Sequence, residues 1–235
     1  MTCSTRYTPL LLAWGVHGFT ATGAVIGLFT LQAVARGELG WAALLSLAAL
    51  VIDAVDGALA RKARVREVLP SFDGRRLDDI VDFLNYTVAP AFFMIDAGSL
   101  SHAALAALPV LASAYGFCRE DAKTADHFFL GFPSYWNVVA IYLWWYAVPP
   151  AWGSSLIVVL SLLVVPRLRF IYPSRMERLR TLSCVLGLLW VLAAAAALSL
   201  ADSSVAHPLM AASLLYPLYY VAVSAWLGGW FRRDQ

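Results

Sequence analysis

Five aspartates crowd into the segment from position 53 to position 82: Asp53 and Asp56, then Asp78, Asp79 and Asp82. In helical segments, Asp53 and Asp56 (three apart) share one face, and Asp78 and Asp82 (four apart) share another. Four carboxylates converging on one point repel unless cations sit among them. Hard oxygen ligands at this density suit Mg²⁺ or Mn²⁺, and four of them can serve a two-metal site. Asp79 turns about 100° away from Asp78 and reads as an ion pair on the aqueous side. The competing reading is that the aspartates pair with Arg61, Arg75 or Arg76 and only hold helices together. Buried ion pairs stabilise poorly, and five carboxylates exceed what such a role needs.

The neighbouring residues extend the pattern. Gly57 lets a ligand approach the backbone closely, and Arg61, two turns from Asp53, is placed to grip a phosphate oxygen. Gly74 opens the next helix. Together they read Asp53-x2-Asp56-Gly57-x2-Ala60-Arg61, then Gly74-x3-Asp78-x3-Asp82.

The elements that must position these residues are strongly apolar. The 235 residues are 61% hydrophobic and only 14% charged, with a mean hydropathy of +0.71. A typical soluble domain is about a quarter charged, so this chain has too few charges to coat a globule of its size. A soluble enzyme, a disordered chain and a disulfide scaffold are excluded. Cys3, Cys118 and Cys184 have no paired spacing and read as small apolar side chains within a bundle. A net charge of +2 implies no nucleic-acid partner. The first apolar run exceeds a signal-peptide core and is expected to be a retained helix.

Eight apolar runs are expected to be helices: 10–35, 39–61, 74–97, 101–118, 133–150, 152–170, 179–200 and 207–230. The basic residues supply an independent check. Arg6 precedes the first run, and Arg232 and Arg233 follow the last. Arg61, Lys62, Arg64, Arg66, Arg75 and Arg76 lie between the second and third runs. Arg119 and Lys123 lie between the fourth and fifth, and Arg167, Arg169, Arg175, Arg178 and Arg180 around the sixth and seventh. Sixteen of 17 therefore fall on one side, Arg36 being the exception, and the positive-inside rule makes that side cytoplasmic. The expected fold class is an all-α, polytopic membrane helix bundle of about eight transmembrane helices with both termini cytoplasmic. It forms one transmembrane domain, 1–235, with the catalytic core in 1–200. Gly23 and Gly27 suit close helix packing, as does the alanine run from Ala193 to Ala197. At 1.5 Å per residue, Asp53 and Asp82 each lie about 12 Å inside the cytoplasmic helix ends, at one depth on antiparallel neighbours.

The spaced string over 53–82 resembles the signature of the CDP-alcohol phosphotransferase family, whose eight fixed residues it reproduces. Twelve residues separate Arg61 from Gly74, more than the common family pattern has. This longer loop resembles the family's choline-using branch, and so does the stretch from Asp121 through Lys123 to His127 and Asn137. The resemblance spans about His17 to Arg180 and fades over the last two helices.

It implies transfer of a phosphatidyl group from CDP-diacylglycerol to choline with release of CMP, in a bacterial inner membrane, with the active site facing the cytoplasm. It further implies two ions of Mn²⁺ or Mg²⁺ on Asp53, Asp56, Asp78 and Asp82. Asp53, Gly57, Ala60, Arg61 and Gly74 would hold the CDP-diacylglycerol, and Asp82 would be the general base. Many relatives are homodimers, and the sequence leaves the oligomeric state open. Choline's quaternary ammonium is best met by aromatic faces. Tyr86, one turn after Asp82, is the first candidate. Tyr115, Phe117, Tyr135 and Trp136 follow, with Glu120 as a counter-charge. On the first helix, His17, Thr20 and Thr22 either border the site or bond to a neighbouring helix. Arg167 to Arg180 suit contact with anionic membrane lipid. Serine, glycerol 3-phosphate or inositol phosphate are the alternative acceptors. A cation transporter is the alternative of a different class and would string ionisable residues through the membrane. A structural subunit is a third.

Overall fold

The computed structural model describes residues 4–231, with side chains from Thr8 onward. Cys3, the side chain of Arg6, Arg232 and Arg233 lie outside the described residues. The chain is almost entirely helical: α1 (Ser4–Ala35), α2 (Leu39–Lys62), a short α3 (Val65–Val68), α4 (Gly74–Phe83), α5 (Ala89–Asp96), α6 (Ala107–Cys118), α7 (Trp136–Trp145), α8 (Pro150–Leu163), α9 (Arg180–Ser199), α10 (Ala206–Ser213) and α11 (Leu215–Leu227). Four helical stretches are long and apolar enough to cross a membrane: Thr8–Ala35, Leu39–Lys62, Arg180–Ser199 and Ala206–Leu227. Each buries no more than a third of its most apolar window inside the protein. Leu11, Leu28, Leu188, Leu192 and Leu218 therefore face outward, each more than half exposed. Apolar surface on that scale is covered by lipid, and the protein is membrane-embedded.

Each of the eight apolar runs contains a helix, but three are shorter or less regular than expected. The run 133–150 supplies only the ten residues of α7 before Pro149 and Pro150 interrupt it. The run 152–170 ends as a helix at Leu163 and finishes as a strand. The run 74–97 is continuous, but a π-turn, Leu84–Val88, joins α4 to α5. Asp73 caps α4 by accepting the backbone N–H of Arg76 at 3.1 Å, satisfying one of the orphan donors of the first turn.

Close packing of α1 on this third helix depends on two glycines. A Cβ on Gly23 would come within 2.6 Å of Val81 Cγ1, and one on Gly27 within 2.7 Å of Leu84 Cδ2. Behind them lies the main core, around Trp136, Met94, Ile157 and Val34. Ala194 and Ala197 from the alanine run are buried within it. Tyr142 ties three helices together, its hydroxyl meeting Ser213 Oγ at 2.7 Å and accepting from Trp190 Nε1 at 2.8 Å. Cys118 and Cys184 are free thiols exposed on the outer surface, not in the bundle interior as expected.

The unexpected element is a small antiparallel sheet. Strand β1 (Phe128–Leu130) pairs with β2 (Arg169–Ile171), Phe129 opposite Phe170. Helix α11 braces it: Ile171 N donates to Ser224 Oγ, Tyr220 Oη donates to Ile171 O, and Trp230 Nε1 donates to Arg169 O. The final helix, which the sequence left without a role, therefore supports the loop that closes the acidic site.

Candidate active site

Asp53 on α2 and Asp78 and Asp82 on α4 each offer a carboxylate oxygen, and all three oxygens lie within 4.8 Å of one another. All three side chains are partly buried, and among the described residues none is in ion-pair range of a lysine or arginine. Three converging carboxylates without a basic partner fit a divalent cation by both charge and donor type. Tyr86, in the π-turn, is almost fully buried and donates its hydroxyl to Asp53 Oδ2 at 2.7 Å.

Asp56 stands apart from that group. It is buried, and its Oδ2 accepts the Thr20 hydroxyl of α1 at 2.8 Å. Thr20 therefore makes the helix-to-helix bond considered for it. Thr22 bonds only to Phe19 O within its own helix. His17 is buried against Phe72, and its Nε2 has no hydrogen-bond partner among the described residues. The imidazole lies where a Cβ on Gly74 would sit, 2.5 Å from His17 Cε1, so that position leaves no room for a larger residue. Asp79 pairs with Arg75 at 3.9 Å, as its azimuth predicted.

The three carboxylates open into a cavity of about 160 Å³. One wall comes from α4 and the π-turn: Arg75, Asp79 and Tyr86. The other comes from α6 and the 119–135 loop: Phe117, Lys123, Phe129, Phe132 and Tyr135, with Tyr172 beyond β2. Gly57, Ala60, Arg61 and Gly74 do not wall this cavity; they lie toward the helix ends, Arg61 being exposed. A Cβ on Gly57 would meet nothing nearer than Arg61 Nη1 at 3.4 Å, so nothing within the chain demands a glycine there.

Six aromatic residues reach the cavity: Phe117, Phe132, Tyr86, whose ring is 6.2 Å edge-to-face from Tyr135, and the pair Phe129 and Tyr172, stacked at 4.6 Å between ring centroids. Three of the residues expected to meet choline do not wall it. Trp136 is fully buried in the core, its Nε1 donating to Ser113 Oγ at 2.8 Å. Tyr115 faces outward and is nearly half exposed, with the Arg119 guanidinium 5.5 Å over its ring. Glu120 is exposed and turned away from the cavity.

The 119–132 loop is anchored by Arg119, which the sequence marked only as a topology signal. Arg119 grips Asp121 through Nε and Nη2, at 2.9 and 3.1 Å, and its Nη1 points to the Val164 carbonyl at 3.4 Å. Asp121 is also within 3.0 Å of Arg167. The Arg119 hydrogen bonds hold the Asp121 carboxyl below the usual carboxylate range. Asp126 is lowered likewise, first by the Thr124 hydroxyl and then by the Arg169 guanidinium. Gly131 sits at φ +84, and any side chain there would collide with the Val164 carbonyl. That conformation lets its N–H reach Leu168 O at 2.8 Å and presses the loop onto the end of α8.

No family model matches the chain. Curated relatives do. A phosphatidylcholine synthase of Legionella pneumophila is 41% identical over 171 residues, covering 71% of this chain and 67% of that protein. A phosphatidylcholine synthase of Pseudomonas aeruginosa is 36% identical over 187 residues, 77% of each chain. A phosphatidylcholine synthase of Mesorhizobium japonicum is 37% identical over 205 residues, covering 84% of this chain and 74% of that protein.

Proposed function

The chain belongs to the phosphatidylcholine synthase family, and from that premise we propose how its cavity performs the reaction. The protein is an enzyme that transfers the phosphatidyl group of CDP-diacylglycerol to choline, giving phosphatidylcholine and CMP. The choline hydroxyl oxygen attacks the phosphorus that carries the diacylglycerol, the bond from that phosphorus to the CMP oxygen breaks, and the hydroxyl proton leaves to a base. What carries the assignment of place is the convergence of Asp53, Asp78 and Asp82 in a cavity that aromatic rings share.

Asp82, further along α4 from its aqueous end than Asp78, is the general base that receives the choline proton. Asp53 and Asp78 face the donor's pyrophosphate, and Tyr86 fixes the orientation of Asp53 through its hydroxyl. A bound Mn²⁺ or Mg²⁺, held by Asp53, Asp78 and Asp82, would neutralise the pyrophosphate and the negative charge that develops on CMP. A second ion would draw on Asp56. The nucleotide lies on the aqueous side of the cavity, along the open backbone at Gly57 and beside Ala60, Arg61 and Gly74. The acyl chains extend from the same point toward the lipid-facing side of the helices. Choline's trimethylammonium rests on the stacked pair of Phe129 and Tyr172, with Tyr135 and Tyr86 beneath. A quaternary ammonium has no N–H to donate, and a ring face attracts it by its quadrupole.

The topology that suits this chemistry has eight crossings, both termini and the acidic cavity on the cytoplasmic side of a bacterial inner membrane. Soluble choline and CMP then exchange with the cytoplasm while the diacylglycerol never leaves the bilayer. Support comes from the sixteen basic residues on one side.

The test is direct. Purified protein in detergent, with CDP-diacylglycerol and Mn²⁺, is given labelled choline, serine or glycerol 3-phosphate in separate reactions. Lipid product from choline alone is expected. Product from serine or glycerol 3-phosphate and none from choline overturns the acceptor assignment.

A further inference from the structure

The aromatic pair assigned to choline already carries an ammonium. Lys123 Nζ lies 5.8 Å from the centroid of the Phe129 ring and 5.9 Å from that of Tyr172. These are distances at which a cation is attracted to a ring face. All three residues wall the cavity that holds Asp53, Asp78 and Asp82. The backbone maintains the arrangement: Lys123 bridges Phe129, Leu130 N donates to Ala122 O, and Thr124 N donates to Phe128 O. Among the described residues Lys123 makes no ion pair, although four carboxylates share its cavity. Its ammonium lies over the rings, within electrostatic reach of Asp53, Asp78 and Asp82.

We propose that Lys123 is a built-in competitor for the choline ammonium subsite and sets the affinity with which the enzyme takes choline. The inference rests on the reading that Phe129 and Tyr172 receive choline. A primary ammonium is compact and strongly hydrated, so leaving the rings for water costs Lys123 little. A trimethylammonium has no N–H groups and is poorly hydrated, so it gains more from the rings than lysine does and displaces it. An acceptor that ends in a primary ammonium, such as ethanolamine, resembles Lys123 itself and has no such advantage. The lysine thus raises the acceptor concentration at which the subsite fills, by the fraction of time it occupies the rings. Once displaced, its N–H groups can serve the pyrophosphate that enters the same cavity.

The experiment uses the full-length protein in detergent. Binding of labelled choline without donor is measured by equilibrium dialysis for wild type, Lys123→Met, Lys123→Gln, Lys123→Arg and Tyr172→Leu. KM values for choline and ethanolamine are measured with CDP-diacylglycerol. Removing the competitor should tighten choline binding about two- to fivefold, the span of an exposed cation–π contact. The choline-to-ethanolamine preference should stay unchanged, because an internal competitor weakens both acceptors by one factor. Lys123→Arg, which restores a ring-seeking cation, should return choline affinity to the wild-type range or below. Choline affinity that is unchanged or weaker in both Lys123→Met and Lys123→Gln overturns the proposal. The Tyr172→Leu arm separates this from a failure of the underlying reading. If Tyr172→Leu weakens choline binding while the neutral lysine variants do not tighten it, only the competitor role falls. If Tyr172→Leu leaves choline binding unchanged, the ring assignment itself is wrong.

Discussion

Replacing Tyr86 by Phe removes one hydroxyl and leaves the ring. That hydroxyl donates to Asp53 Oδ2 at 2.7 Å, and Tyr86 is only 6% exposed. A hydrogen bond to a charged group contributes about 1.5–3 kcal/mol, which is roughly 10- to 150-fold in an equilibrium constant. The loss falls on the orientation of Asp53 toward Asp78 and Asp82, so its readout is metal affinity. Groups that orient a metal-binding side chain typically govern about 10- to 100-fold of that affinity. The Mn²⁺ concentration for half-maximal choline incorporation should therefore rise about tenfold or more. The choline KM, measured at saturating Mn²⁺, should change by less than about twofold, because the Phe ring keeps its place beside Tyr135. Tyr86→Leu, which removes the ring as well, should raise both. An unchanged Mn²⁺ dependence in Tyr86→Phe, or a rise confined to the choline KM, would refute the positioning role assigned to the hydroxyl.

Other parts of the structure give further expectations. Gly23→Ala places a Cβ 2.6 Å from Val81 Cγ1, and overpacking of this kind costs about 1–3 kcal/mol. The variant should melt lower than wild type, and adding Val81→Ala should restore much of the loss; an unchanged melting temperature would contradict the close approach of α1 and α4. Arg119→Gln should raise the choline KM while sparing that for CDP-diacylglycerol, since it frees the loop that carries Lys123 and Phe129; equal rises in both would place the loop's influence elsewhere. Asp121 and Asp126 are held below their ordinary value of 3.8, so the stability they contribute is present above that value. It is lost only as the pH falls through their lowered folded values. Hydrogen-exchange protection at Leu130 and Gly131, corrected for intrinsic rate, should therefore be flat from pH 8 to pH 5, and a loss within that window would contradict the anchoring.

Much of the site was legible because helix geometry is regular. Asp53 and Asp82 meet since equal distances from two antiparallel helix ends put them at one depth. What lay outside that rule was missed. Asp56 bonds to Thr20 of α1, and contacts between distant helices leave no local spacing. Trp136 turns into the core because Ser113 accepts its indole N–H there, while its number alone suits the cavity equally well. The β1–β2 pair went unread because three-residue strands carry too little alternation to register, and β2 continues an apolar run. Lys123 and Arg119 were counted as markers of the cytoplasmic face. Their further roles depend on a loop whose course is set by Gly131 and by α11, far along the chain. The apolar runs announced the helices but not their ends, since burial in lipid erases the polar punctuation that marks boundaries in soluble proteins.

The proposed reaction turns on Asp82, which among three converging carboxylates takes the proton from choline. Asp82→Asn keeps the shape of the side chain and removes its basicity. At saturating Mn²⁺ this variant should bind CDP-diacylglycerol like wild type yet form phosphatidylcholine at a hundredth of the wild-type rate or less, since loss of a general base typically costs about 10² or more. Retention of more than about a tenth of the wild-type rate with donor binding intact would contradict that role.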